Sequence, residues 1–126
     1  MTVIEDALGY AFEDTALLTI ALTHASAAHE ADSPESIERL EFLGDAVLDL
    51  VVGRLLYERN PRWAEGRLTR ARAALVNKES LAGMARQVGL GSEIRLGRTE
   101  QRSEGHEKDS VLANAFEAVV GALYLD

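Results

Sequence analysis

Apolar residues recur every three or four positions through most of the chain, the period of amphipathic helices. The spacing predicts a helix over residues 3–8 and a second from an Asp14 N-cap to about Thr23. A long helix, capped by Ser33 or Ser36, runs to about Tyr57 and stops before Asn60-Pro61. At about 1.5 Å per residue it spans on the order of 30 Å, a central helix for so short a chain. Further helices are predicted over residues 67–76 and over 78–88, the latter closed by Gly89. The last helix starts near Asp109 or Ser110 and is apolar to the end: Val111, Leu112, Phe116, Val119, Val120, Leu123 and Tyr124. Residues 23–34, 60–66 and 91–108 read as loops, and no alternating β-branched run or Asn-Gly hairpin appears. The pattern predicts an all-α fold, a helical bundle around a long central helix.

That long helix carries an unusual polar face. At about 100° per residue, Glu38, Glu41, Asp45 and Asp49 share a sector of roughly 80°, while Leu40, Leu43, Val47, Leu50 and Val51 lie opposite. Like charges held on one face cost free energy, and metal binding is a common reason to hold them. The last helix adds Asn114 and Glu117 one turn apart on an otherwise apolar element. If the two helices pack side by side, Glu41, Asp45, Asn114 and Glu117 converge.

Composition narrows what such a site can hold. The 126 residues include no cysteine, which excludes disulfides and thiolate metal sites and fits a cytoplasmic protein. Hard oxygen donors favour Mg²⁺ or Mn²⁺ over zinc. None of His24, His29 or His106 follows a Glu by three residues, which disfavours a helical di-iron site. On a phosphodiester, Mg²⁺ acidifies a bound water and stabilises charge on the attacking and leaving oxygens. No apolar run is long enough for a membrane span, and the first residues lack the pattern of a signal peptide.

The net charge is −8, unevenly spread. Residues 1–50 hold eleven acids and one base, whereas Arg54, Arg59, Arg62, Arg67, Arg70 and Arg72 face only Glu58 and Glu65 within 54–72. Bulk charge therefore does not attract nucleic acid, but a local arginine segment can touch phosphate.

The run Glu38-Arg39-Leu40-Glu41-Phe42-Leu43-Gly44-Asp45-Ala46-Val47-Leu48 resembles the defining motif of the ribonuclease III endonuclease domain. Thr23-His24-Ala25-Ser26, then Glu65-Gly66-Arg67-Leu68-Thr69-Arg70 with Leu75-Val76-Asn77, then residues 108–118 resemble further family blocks in the family's order. The resemblance implies an all-α homodimer that cleaves double-stranded RNA with Mg²⁺, leaving 5′-phosphate and 3′-hydroxyl ends. Glu41, Asp45, Asn114 and Glu117 would surround the metal, Glu38 and Glu65 would assist along the substrate valley, and Phe42 would pack at the dimer interface. Lys108 resembles a family lysine near the metal; pairing with Glu107 or Asp109 is its alternative.

Two departures stand out. The family usually has Asp where this chain has Asn114, which keeps an oxygen donor but loses a charge. Members with this motif also continue, after a further helix, into a double-stranded-RNA-binding domain, so residues 1–126 are expected to be the endonuclease domain of a longer protein. Asn114 leaves a second reading open, a non-catalytic dimeric RNA-binding relative; a helical scaffold would leave the block from Glu65 to Asn77 without a purpose. Arg62, Arg67, Arg70 and Arg72 are candidate phosphate contacts. Thr69 and Asn77 are candidates for ribose 2′-hydroxyls, with capping or core roles as the alternatives. His24 is expected to hydrogen-bond within the fold, Trp63 to anchor packing beside Pro61, and Asp49 to lie at the surface beyond the ligand group.

Overall fold

A computed structural model describes residues 1–30 and 37–126 of the chain. Eight α-helices are found among the described residues: α1 (Val3–Leu8), α2 (Thr15–Ala21), α3 (Ala25–Glu30), α4 (Ile37–Arg59), α5 (Glu65–Leu75), α6 (Lys78–Gln87), α7 (Arg98–Arg102) and α8 (Asp109–Leu125). Local chemistry sets their starts. Thr2 and Glu5 form a capping box on α1, and the Asp14 side chain accepts the Ala16 N–H at 3.0 Å to open α2. Ser33 and Ser36, the predicted caps of the long helix, lie outside the described residues.

Two predicted loops are corrected. Within 23–34, Ala25–Glu30 is helical. Alanine-rich sequence favours the helix, and the His24 ring supplies its cap: Nδ1 accepts the Ser26 N–H at 3.1 Å and lies 2.7 Å from Ser26 Oγ. The Gly97 N–H donates to the same Ser26 oxygen at 2.8 Å, which ties this turn to a segment some seventy residues on. His24 thus hydrogen-bonds within the fold, as expected. The segment 91–108 is not simply exposed: it holds α7 and two 3-10 turns, buries Ile94 and Leu96, and pairs Arg95 with Thr23 in an isolated parallel bridge. Its charges hid two core residues whose spacing follows no helical period.

The core gathers on α8, where Val111, Leu112, Ala113, Ala115, Ala118, Val119 and Ala122 are buried. α4 packs along one side of α8, α6 along another, and α2 closes the core. α5 rests on α4, away from the core, and buries no residue. At the far end, the Asp126 carboxylate accepts the Tyr10 hydroxyl at 2.7 Å and the Glu13 and Asp14 N–H groups at 2.9 Å each. The end of α8 is thereby fastened to the turn between α1 and α2.

Candidate metal centre

The contact between α4 and α8 is made by two glycines. A Cβ on Gly44 would collide with the Glu117 carbonyl and come within 3.0 Å of the Gly121 nitrogen. A Cβ on Gly121 would collide with the Leu40 carbonyl and lie 3.2 Å from the Gly44 nitrogen. Glycine in a helix interior costs about 0.5–1 kcal/mol against alanine; here it lets two backbones touch. Glu41 and Asp45 flank Gly44 in sequence, so the crossing carries them to Glu117.

The electrostatics record that crowding. Burial, the Asp45 carboxyl hydrogen-bonded to it, and the charges of Asp45, Glu41 and Asp49 push the Glu117 carboxyl up to about 7. Burial and then the Glu38 charge push Glu41 up to about 7. Each shift marks an anion denied both water and a counter-charge. Asn114 stands one turn before Glu117 on α8, half-buried, and adds an oxygen without adding charge. Asp49 is exposed, as expected, yet its charge reaches Glu117, so the acidic line extends one turn past Asp45.

Among the described residues, no three His, Asp or Glu side chains stand around a common point as an ion cage. The acids are neighbours rather than a closed shell. Their chemistry nevertheless suits a hard divalent cation: carboxylates and one carboxamide, no sulfur, and two carboxyls raised by burial and by neighbouring acids. Mg²⁺ or Mn²⁺ fits this donor set.

The other predicted residues divide by location. Glu65, Thr69 and Arg72 lie along one face of α5 and line a groove of about 430 Å³ against Asp49, Gly53 and Tyr57 of α4. The Thr69 hydroxyl donates to Glu65 Oε1 at 2.7 Å. Arg72 reaches across to α4, its Nη1 3.7 Å from where a Gly53 Cβ would sit. Arg67 stacks on Trp63, its guanidinium carbon 4.0 Å from the ring centroid, which gives Trp63 its anchoring partner. The ion pairs of the described residues involve none of Arg62, Arg67, Arg70 and Arg72. Asn77 is committed to the fold: its Oδ1 accepts the Ser80 N–H at 2.9 Å, capping α6, and its Nδ2 donates to the Ala73 and Ala74 carbonyls at 3.0 Å. Lys108 pairs with neither Glu107 nor Asp109. Its Nζ lies 3.1 Å from Glu100 and 3.2 Å from Ser103, while Asp109 takes Arg86 at 2.6 Å.

Sequence reasoning missed the two glycines on which the site depends. The available signal was Gly44 set inside an uninterrupted helix between two acids, matched by Gly121 one turn after Glu117. Phe42 is 81% exposed, and Leu50 and Val51, placed by pattern on the apolar side, are exposed too. The apolar side of α4 is therefore only partly core.

Comparison with known proteins gives a consistent picture. A family model described as Ribonuclease-III-like matches residues 14–126. Ribonuclease 3 of Symbiobacterium thermophilum is 54% identical over 121 residues, covering 96% of this chain and 51% of that protein. Ribonuclease 3 of Desulfotalea psychrophila is 54% identical over 123 residues, covering 97% of this chain and 51% of that protein. The chain spans about half the length of these relatives. Among solved structures, the nuclease domain of ribonuclease III from Campylobacter jejuni, described for flexibility in a region involved in dimer formation, superposes with a TM-score of 0.92. It is 46% identical, with 98% of this chain and 83% of that one covered. Dicer from Pichia stipitis superposes with a TM-score of 0.68 at 29% identity, covering 91% of this chain and 47% of that one.

Proposed function

The chain belongs to the ribonuclease III family, and from that premise we propose that residues 1–126 are the endonuclease domain of a Mg²⁺-dependent enzyme that hydrolyses double-stranded RNA. The observation that carries this reading is the meeting of Glu41, Asp45 and Glu117 at the Gly44–Gly121 crossing, with two carboxyls raised to about 7. Such a group has a use once a divalent cation neutralises it. Glu41, Asp45, Asn114 and Glu117 would hold the cation, with Glu38 at its edge; Mn²⁺ would substitute for Mg²⁺. The bound cation supplies positive charge against the phosphodiester as it is cut.

The chain's own residues do the rest. Glu65 serves the cleavage site from the groove beside α4. Arg67 and Arg70, exposed on α5, meet phosphates and set the position of the duplex without reading bases. Lys108, held by Glu100, stands ready near the start of α8. Thr69 and Asn77, the expected ribose contacts, instead bond within the protein, the hydroxyl to Glu65 and the amide to the Ala73 and Ala74 carbonyls. The products carry 5′-phosphate and 3′-hydroxyl ends.

The working unit is a homodimer. Exposed Phe42, Leu50, Val51 and Leu55 put apolar surface on one helix, and a second copy covering it gives a paired substrate two related sites. The family's double-stranded-RNA-binding domain is expected outside residues 1–126. No helix among the described residues is long and apolar enough to cross a membrane, and we place the protein in the cytoplasm.

The test is incubation of the purified protein with long duplex RNA in Mg²⁺, in Mn²⁺ and in EDTA. Metal-dependent shortening supports the enzyme. Binding without cleavage at any concentration of either metal favours the second reading, a dimeric RNA-binding relative, for which neutral Asn114 is the motive.

A further inference from the structure

Glu65 is the one acid assigned to the site that does not lie at the α4–α8 crossing. It occupies the first turn of α5, whose N-cap position, Ala64, provides no side-chain cap. It is exposed, and a free glutamate there has three rotatable bonds to disperse its carboxylate over the mouth of the groove. Among the described residues its side chain has one partner, the Thr69 hydroxyl at 2.7 Å, one helical turn on. Both residues line the groove whose opposite wall includes Asp49 of α4, one helical turn past Asp45. The bond therefore holds Glu65 on the groove side of α5, toward the acidic line.

We propose that Thr69 is a positioning residue: its hydroxyl orients the Glu65 carboxylate for cleavage and does not itself contact RNA. The proposal rests on the nuclease reading above. Its chemistry is restrictive. The position needs a hydroxyl that donates to a carboxylate from i+4. Serine keeps that donor, while valine keeps the shape and the β-branch but loses it. The same bond occupies the Thr69 proton, so that proton is unavailable to a ribose oxygen.

Single-turnover cleavage of duplex RNA with Mg²⁺, measured against protein concentration, separates the maximal rate from the half-saturating concentration. Thr69→Val is expected to lower the maximal rate about three- to tenfold with half-saturation unchanged, and Thr69→Ser to restore it. In a Glu65→Gln background, Thr69→Val is expected to add little, since the two residues act as one unit. A rise in half-saturation, or full additivity with Glu65→Gln, would place Thr69 on the RNA and overturn the proposal, as would an unchanged rate in Thr69→Val. A ¹³C measurement of the Glu65 carboxyl signal reads the bond without turnover. It should move in Thr69→Val and return in Thr69→Ser, and no movement overturns the proposal even in a protein that does not cut. Absence of metal-dependent cleavage by the unsubstituted protein fails the nuclease reading instead.

Discussion

The two faces of α4 handle charge in opposite ways. Toward α8, glycine lets two backbones touch, and the charges of Glu41 and Asp45 are brought near Glu117. Toward α5, the helices leave an open groove. Several polar side chains there settle with a neighbour: Thr69 with Glu65, Arg67 on Trp63, Arg54 with Glu58 at 2.7 Å. The first face stores unfavourable electrostatics that tertiary packing imposes. The second resolves its polar groups locally at little energetic consequence, since exposed pairs contribute roughly 0–1 kcal/mol. A metal-dependent centre is expected at the first and a substrate-positioning surface at the second.

Glycine replacement draws the contrast most sharply. Gly44→Ala should destabilise by about 3 kcal/mol, because its Cβ meets the backbone of α8 and the helices must part. Gly53→Ala, whose Cβ makes only an ordinary 3.7 Å contact with Arg72, should instead gain up to about 1 kcal/mol of helix propensity. Urea titration of both variants checks this; equal effects would erase the distinction between the two faces. Next in size, Asp45→Ala or Glu117→Ala should lower Mg²⁺-dependent cleavage at least about a hundredfold while leaving the fold intact by circular dichroism.

Phe42→Ala separates assembly from folding. With 81% of the residue exposed, the subunit should keep its stability within about 0.5 kcal/mol. Dimer dissociation should rise by roughly thirtyfold if Phe42 is an interface anchor, as sedimentation equilibrium would report. Asn114→Asp restores a charge to the donor set, so the Mg²⁺ dissociation constant by calorimetry should fall by about tenfold. An unchanged constant would remove Asn114 from the metal centre.

The smallest effect concerns pH. In the folded chain Glu41 and Glu117 are pushed up to about 7 from the ordinary 4.5, so it binds more protons than the unfolded chain between those limits. Their contribution to stability therefore falls as pH rises from about 4.5 through 7. Without metal, Glu117→Gln should gain on the unsubstituted protein between pH 5 and pH 8 in thermal midpoint. Saturating Mg²⁺ should cancel that gain, because the cation then supplies the missing charge.

Local rules made most of the helices legible. Asp14 opens α2, the Asn60-Pro61 turn follows α4, and Asn77 caps α6 because capping depends on residues a few positions apart. The same rules failed at Ala25–Glu30, where the cap is a histidine ring and the Ser26 hydroxyl is braced by distant Gly97. They failed again at Ile94 and Leu96, which no periodicity marks as core. Of the candidate site, the acidic face of α4 was visible by helical arithmetic. Asp49 lies at the surface, as its place one turn beyond the ligand group implied.

By itself, then, the order of residues determined an all-helical chain, an acidic stripe on its long helix, an arginine-bearing segment after it, and membership in a family. Tertiary structure alone decided how near the stripe comes to Glu117, which hydroxyl holds Glu65, and which half of the apolar side of α4 remains open. The reason is range. Periodicity and capping act within a few residues, whereas the pressure on Glu41 and Glu117 exists only where Gly44 and Gly121, distant in sequence, let two backbones meet.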